Sequence, residues 1–147
     1  MNYLPTWKLD DLPKPTKDLA RARADINLWG YCLLKDAVPT SLVERCRLRL
    51  REQAAAEKEQ GLAFEDGGPN QQWGDFTDNN GRVRPEAFRA KNGGINQRVW
   101  MLVNKGQAFL DLLELESLNE IVRHVLGEKF IIHSYTANIA KPGGIVM

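Results

Sequence analysis

The spacing of apolar residues along the first half of the chain predicts two helices with a strand between them. Residues 17–28 fit a short helix, and residues 30–38 form a compact apolar run closed by a proline, which is typical of a buried strand. The next helix should run from residue 41 to about residue 60, where Gly61 is a natural stop. One face of that helix carries an apolar stripe at spacings of three and four: Val43, Cys46, Leu50 and Ala54.

Two capping boxes indicate where helices start. In residues 41–44 and again in residues 117–120, a serine is followed three positions later by a glutamate. Each of these side chains could satisfy an amide at the start of a helix. The second box opens a predicted helix that ends at Gly127, and a shorter apolar helix is predicted before it over residues 107–115.

Two strands are predicted in the second half of the chain. Residues 96–103 fit a strand or an extended approach to a helix, and residues 130–140 fit one long strand. Alternation along the long strand places one set of residues on one face, Ile132, Ser134, Thr136 and Asn138, and another set on the other face, Ile131, His133, Tyr135 and Ile139. The polar row either lines a pocket for a polar ligand or faces solvent on an edge strand, and the residues alone favour neither.

Two segments lack a regular pattern. Residues 1–18 contain three prolines and predict an irregular arm. Residues 61–95 are rich in glycine, asparagine and aspartate and predict a long loop, which in a compact domain is usually functional or disordered. Trp73, Phe76 and Phe88 argue against full disorder, because aromatic side chains dock such loops onto a protein body.

Composition and charge limit the possible partners. A net charge of +1 gives no electrostatic reason to expect nucleic acid or a membrane surface, and no apolar run is long enough for a membrane span. The N-terminus lacks the apolar core of a signal peptide, so we expect a cytoplasmic protein. His124 and His133 lie on different predicted elements without metal-ligand spacing, and the chain contains no catalytic constellation and no phosphate-binding motif.

Three stretches, residues 97–106, 117–127 and 134–144, together resemble the phytanoyl-CoA dioxygenase family. Residues 30–36 resemble that family's opening strand, and the helix predicted after them also fits. The resemblance covers most of residues 25–147. Its sharpest part is Asn138-Ile139-Ala140-Lys141-Pro142-Gly143.

The resemblance implies an α+β fold, the N-terminal part of a double-stranded β-helix (a jelly-roll or cupin-like barrel) with flanking helices. It also implies a non-haem Fe(II) dioxygenase that uses 2-oxoglutarate and O₂, most simply to hydroxylate an organic small molecule. Such enzymes hold iron with a His-x-Asp pair and a distal histidine. Residues 1–147 would then be one portion of a single oxygenase domain, with residues 61–95 as a loop on the substrate side.

This sequence departs from the family pattern at the metal ligands. The family's His-x-Asp follows the Pro-Gly turn, whereas these residues stop at Met147 before any such motif. His133 cannot replace it, because Tyr135 stands where the aspartate should be. We therefore expect that the chain is a fragment without metal ligands or catalytic residues, and that the remainder of the same polypeptide completes the barrel.

The resemblance carries over a few binding residues. Asn138 matches the family's asparagine near 2-oxoglutarate, and Arg98 falls where the family can place a basic residue near the co-substrate, although a surface ion pair is an equally good explanation for Arg98. Met147 would lie shortly before the expected histidine, where it could only pack against the co-substrate. Ordinary packing is at least as good an explanation for the candidate substrate contacts, which are Thr136, Tyr135, Trp100 and Trp73.

Two alternatives to the oxygenase stay open. One is a non-catalytic barrel relative that acts as a binding or partner subunit, and the other is an α+β interaction module without a ligand. The sequence does not name the substrate, because substrate choice in such folds depends on loops.

Overall fold

The computed structural model describes residues 8–66, 79–82 and 94–142. Within them lie four α-helices: α1 (Leu19–Trp29), α2 (Thr40–Glu59), α3 (Gln107–Leu113) and α4 (Glu116–Leu126). Three strands form one antiparallel sheet in the order β1 (Phe64–Asp66), β2 (Asn96–Val99) and β3 (Ala137–Ala140). Short 3₁₀ turns occupy Leu9–Asp11 and Leu102–Asn104. The α+β class predicted from the sequence is confirmed at this level.

Helix α1 has well-defined ends, in agreement with the predicted helix over residues 17–28. The Asp18 carboxylate accepts hydrogen bonds from the amides of Ala20 and Arg21, at 2.8 and 3.3 Å. Asp18 thereby satisfies two of the amides that have no partner inside the helix. At the other end Gly30 takes a left-handed conformation with φ of 79°, which a residue with a Cβ rarely adopts.

The strand predicted over residues 30–38 is wrong. Gly30 and Asp36 both have positive φ, so the backbone cannot stay extended from end to end. Only Leu34 makes a β-bridge there, a single parallel one with Thr16 in the predicted irregular arm. The apolar run is therefore an irregular segment tied to the arm, because an apolar run alone does not supply a neighbouring strand.

Helix α2 confirms the predicted extent and the predicted stop. The amide of Gly61 bonds to the carbonyl of Lys58 and the amide of Leu62 to that of Glu57, so the helix ends in a Schellman motif. Along the predicted stripe, Ala54 is buried and Cys46 and Leu50 pack against the same core. Val43 was placed wrongly, because its side chain is 45% exposed.

Neither predicted capping box forms. Helix α2 begins one residue early, at Thr40, so Ser41 lies inside the first turn, where the Pro39 carbonyl accepts from the amides of residues 42 and 43. The Glu44 carboxylate is bonded to Arg47 instead. Helix α4 likewise begins at Glu116, and no side chain caps it. In both helices the serine therefore lies two residues after the N-cap position that the capping box requires.

Both predicted strands of the sheet are shorter than expected, and the sheet contains a third strand that the sequence did not predict. β2 covers the first half of the predicted strand 96–103, which then turns into the 3₁₀ segment. Only Ala137–Ala140 of the predicted strand 130–140 pairs with a neighbour. Strand β1 lies in the segment predicted as a loop, and it pairs antiparallel with β2. Elsewhere in that segment the structure describes residues 61–63, 79–82 and 94–95.

The described residues divide into two compact units. The first contains the described part of Met1–Val43 together with Leu110–Ile131. In this unit α1 packs against α4, and the two helices are joined by an ion pair between Arg23 and Glu120 at 2.9 Å. A hydrogen bond of 2.9 Å between His124 Nε2 and Asn27 Oδ1 also joins them.

The second unit contains Glu44–Phe109 and Ile132–Met147, as far as they are described. Its core consists of Ala54, Val99, Leu102 and Phe109, and its rim is made of Cys46, Leu50, Tyr135, Ala137 and Ile139. These side chains come from α2, the sheet and the start of α3, so the core lies between the sheet and the helices. No helix in the described ranges is long and apolar enough to cross a membrane.

Candidate functional site

The sheet of the second unit has two chemically different faces. Residue alternation and strand register place Gln97, Val99, Ala137 and Ile139 on one face, here called the core face. The other face, here called the polar face, is formed by Phe64, Asp66, Asn96, Arg98 and Asn138. Val99 is completely buried on the core face, whereas Asn138 is exposed on the polar face.

Arg98 occupies the centre of the polar face. In the register it stands opposite Phe64 of β1 on one side and opposite Asn138 of β3 on the other. Its guanidinium carbon lies 5.7 Å from the centre of the Phe64 ring and 5.9 Å from that of Trp100. The two rings meet edge to face, with their centres 5.5 Å apart. Cation–π attraction to both rings therefore restricts where the guanidinium can lie.

Asp66 supplies the negative charge beside Arg98. One carboxylate oxygen, Oδ2, lies 2.8 Å from Nη2 of Arg98, and the other accepts a 2.7 Å hydrogen bond from the Asn96 amide. Asp66 is buried, and the side chain of Arg98 is 34% exposed. Because both of its oxygens are bonded, Asp66 is held in one position next to the guanidinium.

One donor of Arg98 stays unused. The Nε atom is buried and has no hydrogen-bond partner among the described residues. An unpaired buried donor costs free energy, so such a group in a folded protein calls for an explanation. The side chain opposite it is Asn138, whose amide carries both donors and an acceptor. Together the guanidinium and the amide suit an oxygen-rich anion such as a carboxylate.

Four of the seven predicted binding residues come together here. Arg98 and Asn138 are cross-strand neighbours, and Trp100 touches Arg98 from the end of β2. Thr136 precedes β3, and the alternation that turns Ala137 and Ile139 toward the core directs Thr136 to the same side as Asn138. Residues far apart in the sequence therefore share one face of a three-stranded sheet.

Tyr135 is not with them, because it belongs to the core face. Its ring packs edge to face on Phe109 with centres 6.5 Å apart, and its hydroxyl donates to the Phe109 carbonyl at 3.3 Å. Burial raises the pKa of the Tyr135 hydroxyl, and neighbouring Cys46 raises it further. The other two predicted residues, Trp73 and Met147, lie outside the described residues.

Lys141, which belongs to the motif that resembles the family, lies on the opposite side of the sheet from Asn138. Its ammonium donates to Glu65 at 2.7 Å and to the Gly94 carbonyl at 3.4 Å, while its amide bonds to the Ile95 carbonyl. The Lys141 hydrogen bond holds the pKa of the Glu65 carboxyl below its usual value, against the opposing effect of burial. This contact ties β3 to β1 and so supports the register between Arg98 and Asn138.

Three residues of the polar face were not predicted from the sequence: Phe64, Asp66 and Asn96. The first two lie in a segment that reads as a loop. Gly94, the last residue of the loop-forming triplet 92–94, was the one sequence feature that bears on this strand pairing. A Cβ on Gly94 would come within 2.7 Å of the Asp66 amide, so only glycine allows the strands to approach this closely. A glycine required by close backbone approach indicates a neighbouring strand.

The described residues do not offer a metal site. No group of three or more His, Cys, Asp or Glu side chains in the ranges 8–66, 79–82 and 94–142 could hold a metal ion. His124 and His133 are each exposed. Arg98 and Asn138 carry donors that suit a carboxylate.

In comparisons with known proteins, the chain matches no protein-family model, no curated protein and no solved structure. The class that fold and site define is an α+β protein with a polar, aromatic-lined sheet face. Its function is therefore argued from that face.

Proposed function

We propose that this chain is part of an Fe(II)- and 2-oxoglutarate-dependent oxygenase, and that the polar face binds the co-substrate. The observation that carries the proposal is the pairing of Arg98 with Asn138 across β2 and β3. The family-like motifs assign both residues to the co-substrate from stretches far apart in the sequence. In the fold they are direct neighbours, with an unused donor on Arg98.

The arrangement of the second unit is compatible with the barrel that the resemblance implies. That barrel has helices on one side of a sheet and its ligand on the other. Here helix α2 packs against the core face, where the Gln97 amide donates to the Ala54 carbonyl at 2.9 Å. The polar face points away from that helix. We propose that the three strands belong to such a double-stranded β-helix.

The described residues would bind and orient the co-substrate. Arg98 would pair with one carboxylate of 2-oxoglutarate, because a guanidinium makes strong charge-assisted hydrogen bonds to carboxylates. Asn138 would donate from the neighbouring strand to a carboxylate or keto oxygen. The side chains of the described residues do not provide a ligand set for iron. The roles proposed for Arg98 and Asn138 concern 2-oxoglutarate alone and do not depend on which residues hold the metal.

The test replaces the amide without changing the strand. Asn138→Ala should weaken 2-oxoglutarate binding to the whole polypeptide by about tenfold, because one hydrogen bond to a charged group is lost. The dissociation constant is measured by calorimetry. Asn138 is exposed and lies outside the core, so the melting temperature should stay close to that of the wild type.

Ser134→Ala is the matched control, because Ser134 is exposed, polar and on the same alternating row. It should leave the 2-oxoglutarate affinity unchanged. Equal affinities for wild type and Asn138→Ala would refute the assigned role of the amide. For the iron chemistry, the whole polypeptide should show an anaerobic charge-transfer absorption band with Fe(II) and 2-oxoglutarate, and its absence would refute the oxygenase assignment.

A further inference from the structure

We propose that Asp66 is an internal competitor for the Arg98 guanidinium, and that its carboxylate limits how tightly the polar face binds a dicarboxylate. This inference rests on the proposed function, since it concerns the same guanidinium. It assigns a role to a residue that neither the sequence pattern nor the resemblance points to.

The geometry shows one guanidinium donor already committed to a carboxylate. Asp66 Oδ2 lies 2.8 Å from Nη2 of Arg98, the distance of a charge-assisted hydrogen bond. A second carboxylate on Arg98 would have to share Nη2 with Asp66 or use the remaining donors beside it. In either arrangement the two negative charges lie within a few ångströms of each other, which is unfavourable.

Asp66 cannot relieve this repulsion by turning away. Its other oxygen is held by the Asn96 amide at 2.7 Å, and its side chain is only 9% exposed. Rotation would break both bonds and leave a buried carboxylate with fewer partners. The carboxylate therefore remains beside the guanidinium and opposes any anion that approaches it.

The opposite role would be positioning, in which Asp66 improves anion binding by holding Arg98 in the right plane. The aromatic rings of Phe64 and Trp100, which contact each other edge to face, already restrict the position of the guanidinium. Orientation is therefore supplied in part without Asp66, whereas Asp66 is the only carboxylate that pairs with Arg98 among the described residues. These contacts favour competition, and the two roles predict opposite changes in affinity.

The experiment neutralises the carboxylate while keeping its shape. Asp66→Asn in the whole polypeptide should bind 2-oxoglutarate about tenfold more tightly than wild type, because repulsion between like charges is removed. Binding is measured by calorimetry with two probes, 2-oxoglutarate and glutarate, which has the same two carboxylates but no keto group. The affinity for both probes should increase to a similar extent, since the substitution changes only the charge.

Glu65→Gln is the matched control. Glu65 is the neighbouring residue of β1 and carries the same charge, but its carboxylate points to Lys141 on the other side of the sheet. Its neutralisation should leave both affinities within about twofold of wild type, because no direct contact to Arg98 changes. An equal gain in Glu65→Gln and Asp66→Asn would show a general charge effect and overturn the proposal.

The outcomes separate this proposal from the proposed function. If wild type prefers 2-oxoglutarate over glutarate but Asp66→Asn binds it no more tightly, the co-substrate assignment stands and competition by Asp66 is overturned. If Asp66→Asn tightens both probes while wild type shows no preference, competition stands and the co-substrate assignment fails. Failure of all variants and wild type to bind either probe would overturn both.

A measurement on the wild type covers the case in which Asp66→Asn does not fold. The ¹³Cγ resonance of Asp66 reports its hydrogen bond to Arg98. Saturation with 2-oxoglutarate should move that resonance, because the ligand takes a share of the guanidinium. An unmoved Asp66 resonance in the saturated protein would overturn the proposal.

Discussion

Neighbouring residues of the same strand lie on opposite faces of the sheet and are in different environments. On β2, Gln97 and Val99 face the core, while Arg98 between them faces the polar side. Gln97 is buried, and its amide is bonded to the Ala54 carbonyl. Arg98 is partly exposed, and its Nε donor has no hydrogen-bond partner among the described residues. Polar groups on the core face are satisfied within the protein, whereas the polar face retains a donor for something else.

This contrast means that substitutions on the two faces should affect different properties. Changes on the core face should lower the free energy of unfolding, because they remove packing or leave a buried group unpaired. Changes on the polar face should mainly alter ligand affinity. Each of the following experiments compares one residue from the core side with a control.

The largest effect is expected from Phe109→Ala. Phe109 is 3% exposed in the core and carries the Tyr135 ring contact. Removing it should lower the free energy of unfolding by about 3–5 kcal/mol, the usual cost of truncating a buried aromatic residue. Urea denaturation measures the change. Trp100→Ala, an aromatic truncation on the polar face where the side chain is 44% exposed, should cost less than half as much. Equal losses would contradict the distinction between the faces.

An intermediate effect is expected from Gln97→Met. The substitution keeps the length of the side chain but removes the amide that donates to the Ala54 carbonyl. The unfolding free energy should fall by about 1–3 kcal/mol, the cost of leaving a buried polar group unpaired. Thermal denaturation should show the loss, and Asn138→Ala should show almost none. A Gln97→Met protein as stable as wild type would mean that the buried amide contributes nothing.

The smallest effect is expected from Lys141→Met, and it should depend on pH. Because the Lys141 hydrogen bond lowers the pKa of Glu65, the ionised carboxylate is favoured in the folded protein. Its contribution is fully present above pH 4.5, the ordinary value for glutamate, and is lost as the pH falls through the lowered pKa.

Stability should therefore differ between wild type and Lys141→Met by about 1 kcal/mol at neutral pH, because the pair is partly exposed, and the difference should shrink in acid. Urea denaturation across this pH range measures it. Lys58→Met is the control, since Lys58 lies farther from the same oxygen, at 3.5 Å, and is more exposed. A difference between wild type and Lys141→Met that does not shrink in acid would contradict the role of Glu65.

Local signals predicted some of these elements well. Helices α1 and α2 could be located from the sequence, and the Gly61 stop of α2 is confirmed, because periodicity and helix stops act within a few residues of their own position. Alternation correctly separated Asn138 from Tyr135. The strand over residues 30–38 was wrong, because an apolar run does not show whether a partner strand is present, and among the described residues only Leu34 forms a bridge there.

The sequence alone determined the helices and the α+β class, because these depend on periodicity. Only the tertiary structure decided that Arg98 and Asn138 are neighbours and that Asp66 stands beside them. Strand register depends on pairing between distant segments, which no local pattern encodes. Asp66 is 32 positions before Arg98, and β-pairing brings the two side chains to 2.8 Å.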